Sequence, residues 1–178
     1  LIFQRGIAAA TVLGAVLGIG GCAALDEGTP NVCPHAAILD DAGELIRFAS
    51  AKPSGPADVA FRARMKQVSG LCEVDDSLVE MELTTAMETV RGPSNTEGEA
   101  KFTYFVAILD KDKKVLSRIK FPMIAQFRQR ETKLDFNEAL TVTIPRKKGD
   151  LPKDYVVYLG FEMTPAELAH NRNRRKQR

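Results

Sequence analysis

Apolar and polar residues alternate with a period of two through much of the chain. Val59, Phe61, Ala63 and Met65 alternate with Ala60, Arg62, Arg64 and Lys66, the pattern of a half-buried strand with a basic outer face. Ser69-Gly70 interrupts the pattern, and Leu71-Cys72-Glu73-Val74 continues it. Over residues 77–91, Val79, Met81, Leu83, Thr85 and Met87 alternate with Glu80, Glu82, Thr84 and Glu88. This predicts a long strand with an acidic outer face. Residues 102–109 are apolar on both parities, which marks a central strand covered on two sides. Residues 115–127 continue as a strand in which Pro122 points to an edge or a bulge. In residues 132–144, Leu134, Phe136, Leu140, Val142 and Ile144 keep the alternation, and Asn137-Glu138-Ala139 breaks it. Residues 155–163 form the last strand. Two weaker segments precede these: the short apolar run Ala36-Ala37-Ile38-Leu39, and residues 44–50, readable as a strand or one helical turn.

Turn chemistry separates the runs. Gly92-Pro93-Ser94-Asn95 opens a loop, and Asp110-Lys111-Asp112-Lys113-Lys114 reads as a hairpin turn. Thr164-Pro165-Ala166-Glu167 signals a helix start: Thr as N-cap, Pro at the first position and Glu closing a capping box. That helix is expected to reach about Arg172. Seven or eight evenly spaced strands predict an all-β fold. The turn–strand–turn rhythm and the tyrosine-containing final strand resemble an immunoglobulin/fibronectin-like antiparallel β-sandwich over residues 33–164. The resemblance implies two packed sheets, with a short C-terminal helix appended.

The first residues follow another rule. Arg5 precedes an apolar run over residues 6–20 that is rich in small residues and ends at Cys22. At about 15 residues it falls short of the roughly 20 that a spanning helix needs. A cationic start, a short apolar core and small residues before a break are the pattern of an export signal. Leu17-Gly18-Ile19-Gly20-Gly21-Cys22 resembles the lipobox of bacterial lipoproteins, and the whole pattern is similar to uncharacterised envelope lipoproteins of alphaproteobacteria. The resemblance implies lipid on the Cys22 sulfur, removal of the signal and no catalytic activity to carry over. An ordinary cleaved signal and an uncleaved anchor are the competing readings. Ala23 in place of Asp leans towards the outer rather than the inner membrane. The expected organisation is a signal peptide at 1–21, a lipidated tether at 22–32, a sandwich at 33–170 and a basic tail at 171–178.

Composition narrows the functional classes. With 44% hydrophobic and 27% charged residues the chain is folded rather than wholly disordered. Arg172, Arg174, Arg175, Lys176 and Arg178 concentrate positive charge in the tail, so the remaining body is mildly acidic. A nucleic-acid binder would carry a basic face within its fold, and no nucleic-acid partner is expected. The tail is a candidate contact for anionic lipid or an acidic partner, or a solvated disordered end.

Assigning Cys22 to lipid leaves Cys33 and Cys72, an even remainder that predicts a disulfide in an oxidising compartment. Cys33-Pro34-His35 is similar to the active-site turn of periplasmic thiol oxidoreductases, but Ala36 stands where the resolving thiol belongs. His35 and His170 are the only histidines, too few to hold a catalytic zinc without converging carboxylates. Asp110, Asp112, Asp75 and Asp76 lack the spacing of a calcium loop. No nucleophile elbow or phosphate-cradling glycine loop occurs. No catalytic residue, metal or cofactor is therefore expected.

The function expected is a non-catalytic interaction or structural module, held at the membrane by lipid on Cys22 and facing an envelope protein partner. The alternatives are an accessory subunit of an export, efflux or envelope-maintenance complex, and a small-ligand carrier or enzyme with an unrecognised site. A deep pocket with convergent polar groups would favour the last.

Overall fold

The computed structural model describes residues 33–50 and 55–176. The expected signal at 1–21 and tether at 22–32, with Cys22, lie outside the described residues. Among the described residues, eight strands and one α-helix follow in order: β1 (His35–Ile38), β2 (Glu44–Phe48), β3 (Val59–Val74), β4 (Leu78–Arg91), β5 (Glu99–Leu109), β6 (Val115–Gln126), β7 (Lys133–Pro145), β8 (Val156–Phe161) and α1 (Pro165–Lys176). They build two four-stranded sheets, β1-β8-β5-β6 and β2-β3-β4-β7. All pairings are antiparallel except β1 with β8. The chain is thus an all-β sandwich with a short C-terminal helix. Within one sheet β2, β3 and β4 run as a meander, whereas an immunoglobulin constant domain orders its sheets ABED and CFG.

The core follows from side-chain parity. On β4, Val79, Met81, Leu83, Thr85, Met87 and Thr89 all point inward and are buried. Across the sandwich, Ala100, Phe102, Tyr104, Val106 and Ile108 of β5 meet them, flanked by Val157, Leu159 and Phe161 of β8. The interruption seen at Ser69-Gly70 does not end β3. The strand runs on, and a bulge between Met65 and Gln67 absorbs one residue. Inward parity changes there from Phe61, Ala63 and Met65 to Val68, Cys72 and Val74, as an extra residue in one strand requires. Gly70 is the space-saving position: a Cβ there would lie 2.5 Å from the Met81 side chain.

The two outer faces foreseen as basic and acidic lie side by side. Lys66 of β3 reaches Asp135 of β7 at 3.0 Å and Glu88 of β4 at 3.6 Å, while Lys133 pairs with Glu88 at 2.6 Å. The Asp110 carboxylate is used by its own turn, accepting from the Asp112 and Lys114 amides at 3.0 Å each.

Thr164 and Glu167 form the capping box: the Thr164 amide donates to the Glu167 carboxylate at 2.8 Å, and the Glu167 amide to Thr164 Oγ1 at 3.3 Å. The helix continues past Arg172 to Lys176, through the point where the sequence suggested a tail. Among the described residues no helix is long and apolar enough to cross a membrane.

Cys33, just before β1 in one sheet, is disulfide-bonded to Cys72 on β3 in the other, with Cα atoms 5.7 Å apart. The bond therefore ties the two sheets. It closes a loop of sequence separation 39, for which chain entropy gives about 4 kcal/mol of stabilisation. The double variant Cys33→Ala, Cys72→Ala is expected to lose about 2–4 kcal/mol in urea unfolding. An unchanged midpoint would show that the bond contributes nothing to the fold.

Candidate functional site

The basic residues at the end of the chain meet the body at the β1–β2 turn. Asn171 is buried and its side-chain amide donates to two backbone carbonyls, Asp41 at 3.0 Å and Glu44 at 2.6 Å. Around this pin lie ion pairs. Arg172 reaches Asp41 at 3.0 Å, and Arg175 reaches Asp41 at 2.7 Å and Asp40 at 3.1 Å. Arg174 pairs with Glu44, which also faces Arg62 at 3.4 Å. At the other end of the helix, Glu167 meets Arg47 at 2.9 Å. Three of the five residues proposed for anionic contact are thus engaged by carboxylates of the sandwich. Lys176 is exposed at the helix end, and Arg178 lies outside the described residues.

The same helix walls a half-open groove of about 570 Å³ on the outer face of the β1-β8-β5-β6 sheet. Phe105 and Tyr158 form its floor, Met163 and Leu168 one side, and Arg118, Arg172 and Arg175 its charged rim. Gly160 makes the floor possible: a Cβ there would lie 3.0 Å from the Phe105 ring. The Arg118 guanidinium sits over that ring at 4.0 Å from its centroid, a favourable cation–π contact. Arg118 also pairs with Glu162, and Lys120 meets Glu162 at 3.2 Å. The rim cations are therefore already matched by carboxylates, and an anionic ligand has to compete for them. The floor suits an apolar or aromatic moiety.

The remaining sequence candidates stay apart. His35 is exposed at the start of β1, and His170 sits on the helix, edge-on to Phe48 at 6.0 Å. Among the described residues, no three of His, Cys, Asp and Glu converge as metal ligands would. Cys33 is consumed by its disulfide. Sequence reasoning missed Asn171 and the Asp40, Asp41 and Glu44 carboxylates, because what joins them to the helix is a contact across some 130 positions. Compared with known proteins, the chain matches no family model and no curated sequence.

Two predictions follow from the helix contact. Asn171→Ala leaves two buried-side carbonyls without their donor and is expected to cost about 1–3 kcal/mol in urea unfolding; a loss within error of zero would remove the pin. Asp41 is held below its ordinary value of 3.8, chiefly by the hydrogen bond from Arg172 and then by that from Arg175. A depressed folded value means that this contribution is complete above pH 3.8 and is lost as pH falls through the folded value. The thermal-stability gap between wild type and Asp41→Asn is therefore expected to be small but present at neutral pH, and to close in acid. A gap independent of pH would contradict the assignment.

Proposed function

We propose that the protein is a lipid-anchored lipoprotein of the bacterial envelope, facing the periplasm, whose sandwich is a non-catalytic interaction module. The observation that carries this reading is Cys22, which ends the apolar run and follows Leu17-Gly18-Ile19-Gly20-Gly21. The pairing of Cys33 with Cys72 supports it in two ways. A disulfide belongs to an oxidising compartment, and the pair leaves Cys22 as the remaining thiol of the chain. Two or three acyl chains at that cysteine make release from the membrane negligible, since one alone anchors only marginally. Ala23 favours the outer membrane.

The edges of a sandwich are natural acceptors for a partner strand, which suits either a free-standing interaction module or an accessory subunit of an export or envelope-maintenance assembly. A second reading, a carrier of a small apolar ligand, is favoured by the groove over Phe105 and Tyr158. Its volume lies within the range of ligand pockets.

Cys22→Ala is expected to abolish incorporation of labelled palmitate and to release the protein from envelope membranes. Undiminished labelling of the variant would overturn the lipoprotein reading. Crosslinking in intact cells, followed by purification in detergent, separates the module from the carrier: the former yields a defined protein partner, the latter a co-purifying small molecule.

A further inference from the structure

We propose that the open flank of the sandwich, between β6 and β7, receives an extended peptide segment that adds to the β7 edge and sets a lysine or arginine against Glu138. This rests on the reading of the domain as an interaction module and names the chemistry of its partner.

The two sheets do not close on this side. Inward-facing residues of the inner strands are buried, Leu83 at 1% and Tyr104 at 2% exposure. On the flank, Ile119 faces the same interior but is 41% exposed, and Phe121, Met123, Phe136 and Leu140 are only half-buried. Glu138 stands in the middle of this apolar stripe. The β4–β7 register runs without a bulge from Leu78↔Pro145 to Val90↔Lys133, and it sets Glu138 opposite the buried Thr85. Glu138 thus shares the inward face of β7 with Leu134, Phe136, Leu140 and Val142. Its carboxylate makes no hydrogen bond or ion pair with any described residue, and the Thr85 hydroxyl is turned to the Gln67 carbonyl at 3.1 Å. The carboxylate lies close enough to Tyr104 to help burial push that hydroxyl up to about 12.

The free edges differ in what they offer. β1 and β2 have 4 and 5 residues, and α1 packs against β2. β6 carries Pro122, whose missing N–H denies a donor to an incoming strand, with Arg118 and Lys120 close by; both features blunt an edge. β7 presents 13 residues with proline only at its last position, and no described strand pairs with its outer side. A second copy is the wrong occupant, because antiparallel pairing of two β7 strands about their middle, Ala139, sets the two Glu138 carboxylates at diagonal positions on one face, where like charges repel. The chain's own residues 23–32 carry Asp26 and Glu27 and no Lys or Arg, so they have the wrong sign. A strand with apolar residues at alternate positions and a cation between them satisfies the stripe and the carboxylate at once.

The test uses the full chain in detergent and a labelled peptide, Thr-Val-Thr-Lys-Thr-Val-Thr, read by fluorescence anisotropy. The expected result is saturable binding about ten- to hundredfold tighter than for the same peptide with Glu in place of Lys, as a charge-assisted contact implies. Glu138→Lys is expected to reverse that preference, and Glu138→Gln to abolish it with the circular dichroism spectrum unchanged. No binding of the Lys peptide at millimolar concentration, equal binding of both peptides, or a preference that survives Glu138→Gln would each overturn the site. A wild-type dimer that excludes the peptide would make a second copy the occupant and also overturn it. Palmitate labelling at Cys22 is scored in the same samples. Its loss would bear on the envelope reading alone, and its persistence beside a negative peptide result would sink only the docking site.

Discussion

The side-chain parity of β4 is the constraint on which the rest of the structure depends. It lies inside its sheet, hydrogen-bonded to β3 on one side and β7 on the other. Its inward residues are apolar or threonine, and its outward ones include Glu80, Glu82 and Glu88. A slip of one residue would send those carboxylates into the core, so the register has no close competitor. β3 and β7 inherit it. In β3 the apolar positions change parity along the sequence, and the bulge after Met65 is what reconciles them with β4. In β7 no bulge intervenes, so every even-numbered residue faces inward whether or not it is apolar. The long strands, the shared ion pairs of Lys66, Lys133, Glu88 and Asp135, and the inward placement of Glu138 are consequences of this one strand.

Much of this architecture was legible because period-two alternation is a local signal. β4 and the doubly apolar β5 could be placed from their own residues, and so could the turn at Asp110 and the capping box at Thr164. The disulfide followed from counting thiols. Less legible was whatever depends on residues far apart. The interruption at Ser69-Gly70 looked like a break because glycine removes a side chain from the pattern. In three dimensions that vacancy is filled by Met81 and Leu83 from the neighbouring strand. The polar step at Asn137-Glu138-Ala139 looked like a lapse in alternation, although the backbone never leaves its register. A sequence window shows that a polar residue occupies an inward position; it does not show that the flank there is open.

The basic run at the end of the chain illustrates the same limit for electrostatics. Five cations in the last seven residues read as an isolated charged tail, since no carboxylate stands among them. The fold returns the helix to the β1–β2 turn, where Asp40, Asp41 and Glu44 wait. Exposed ion pairs of this kind are individually weak, of the order of 0–1 kcal/mol each. They orient the helix, and the buried amide of Asn171 supplies the specific contact. An anionic surface that recruits Arg172, Arg174 and Arg175 must first compete with these carboxylates. That raises the charge density such a surface needs and leaves Lys176 as the most readily shared of the described tail cations.

Glu138 has to be understood as a loss of stability that the fold tolerates. An aliphatic residue there would complete the stripe from Leu134 to Ile144. It would add up to about 1.5–3 kcal/mol if fully buried, and less on a half-open flank. It would also leave a flat apolar edge of thirteen residues, long enough to recruit any exposed strand, including that of another copy. A single inward carboxylate removes that hazard at the point where two copies would meet. Repulsion of this sort is selective by construction. It penalises neutral and acidic strands through desolvation and like charge, and it spares a strand that brings its own cation. Protection of the edge and discrimination among partners are then two effects of one side chain, distinguished only by the charge of what approaches it.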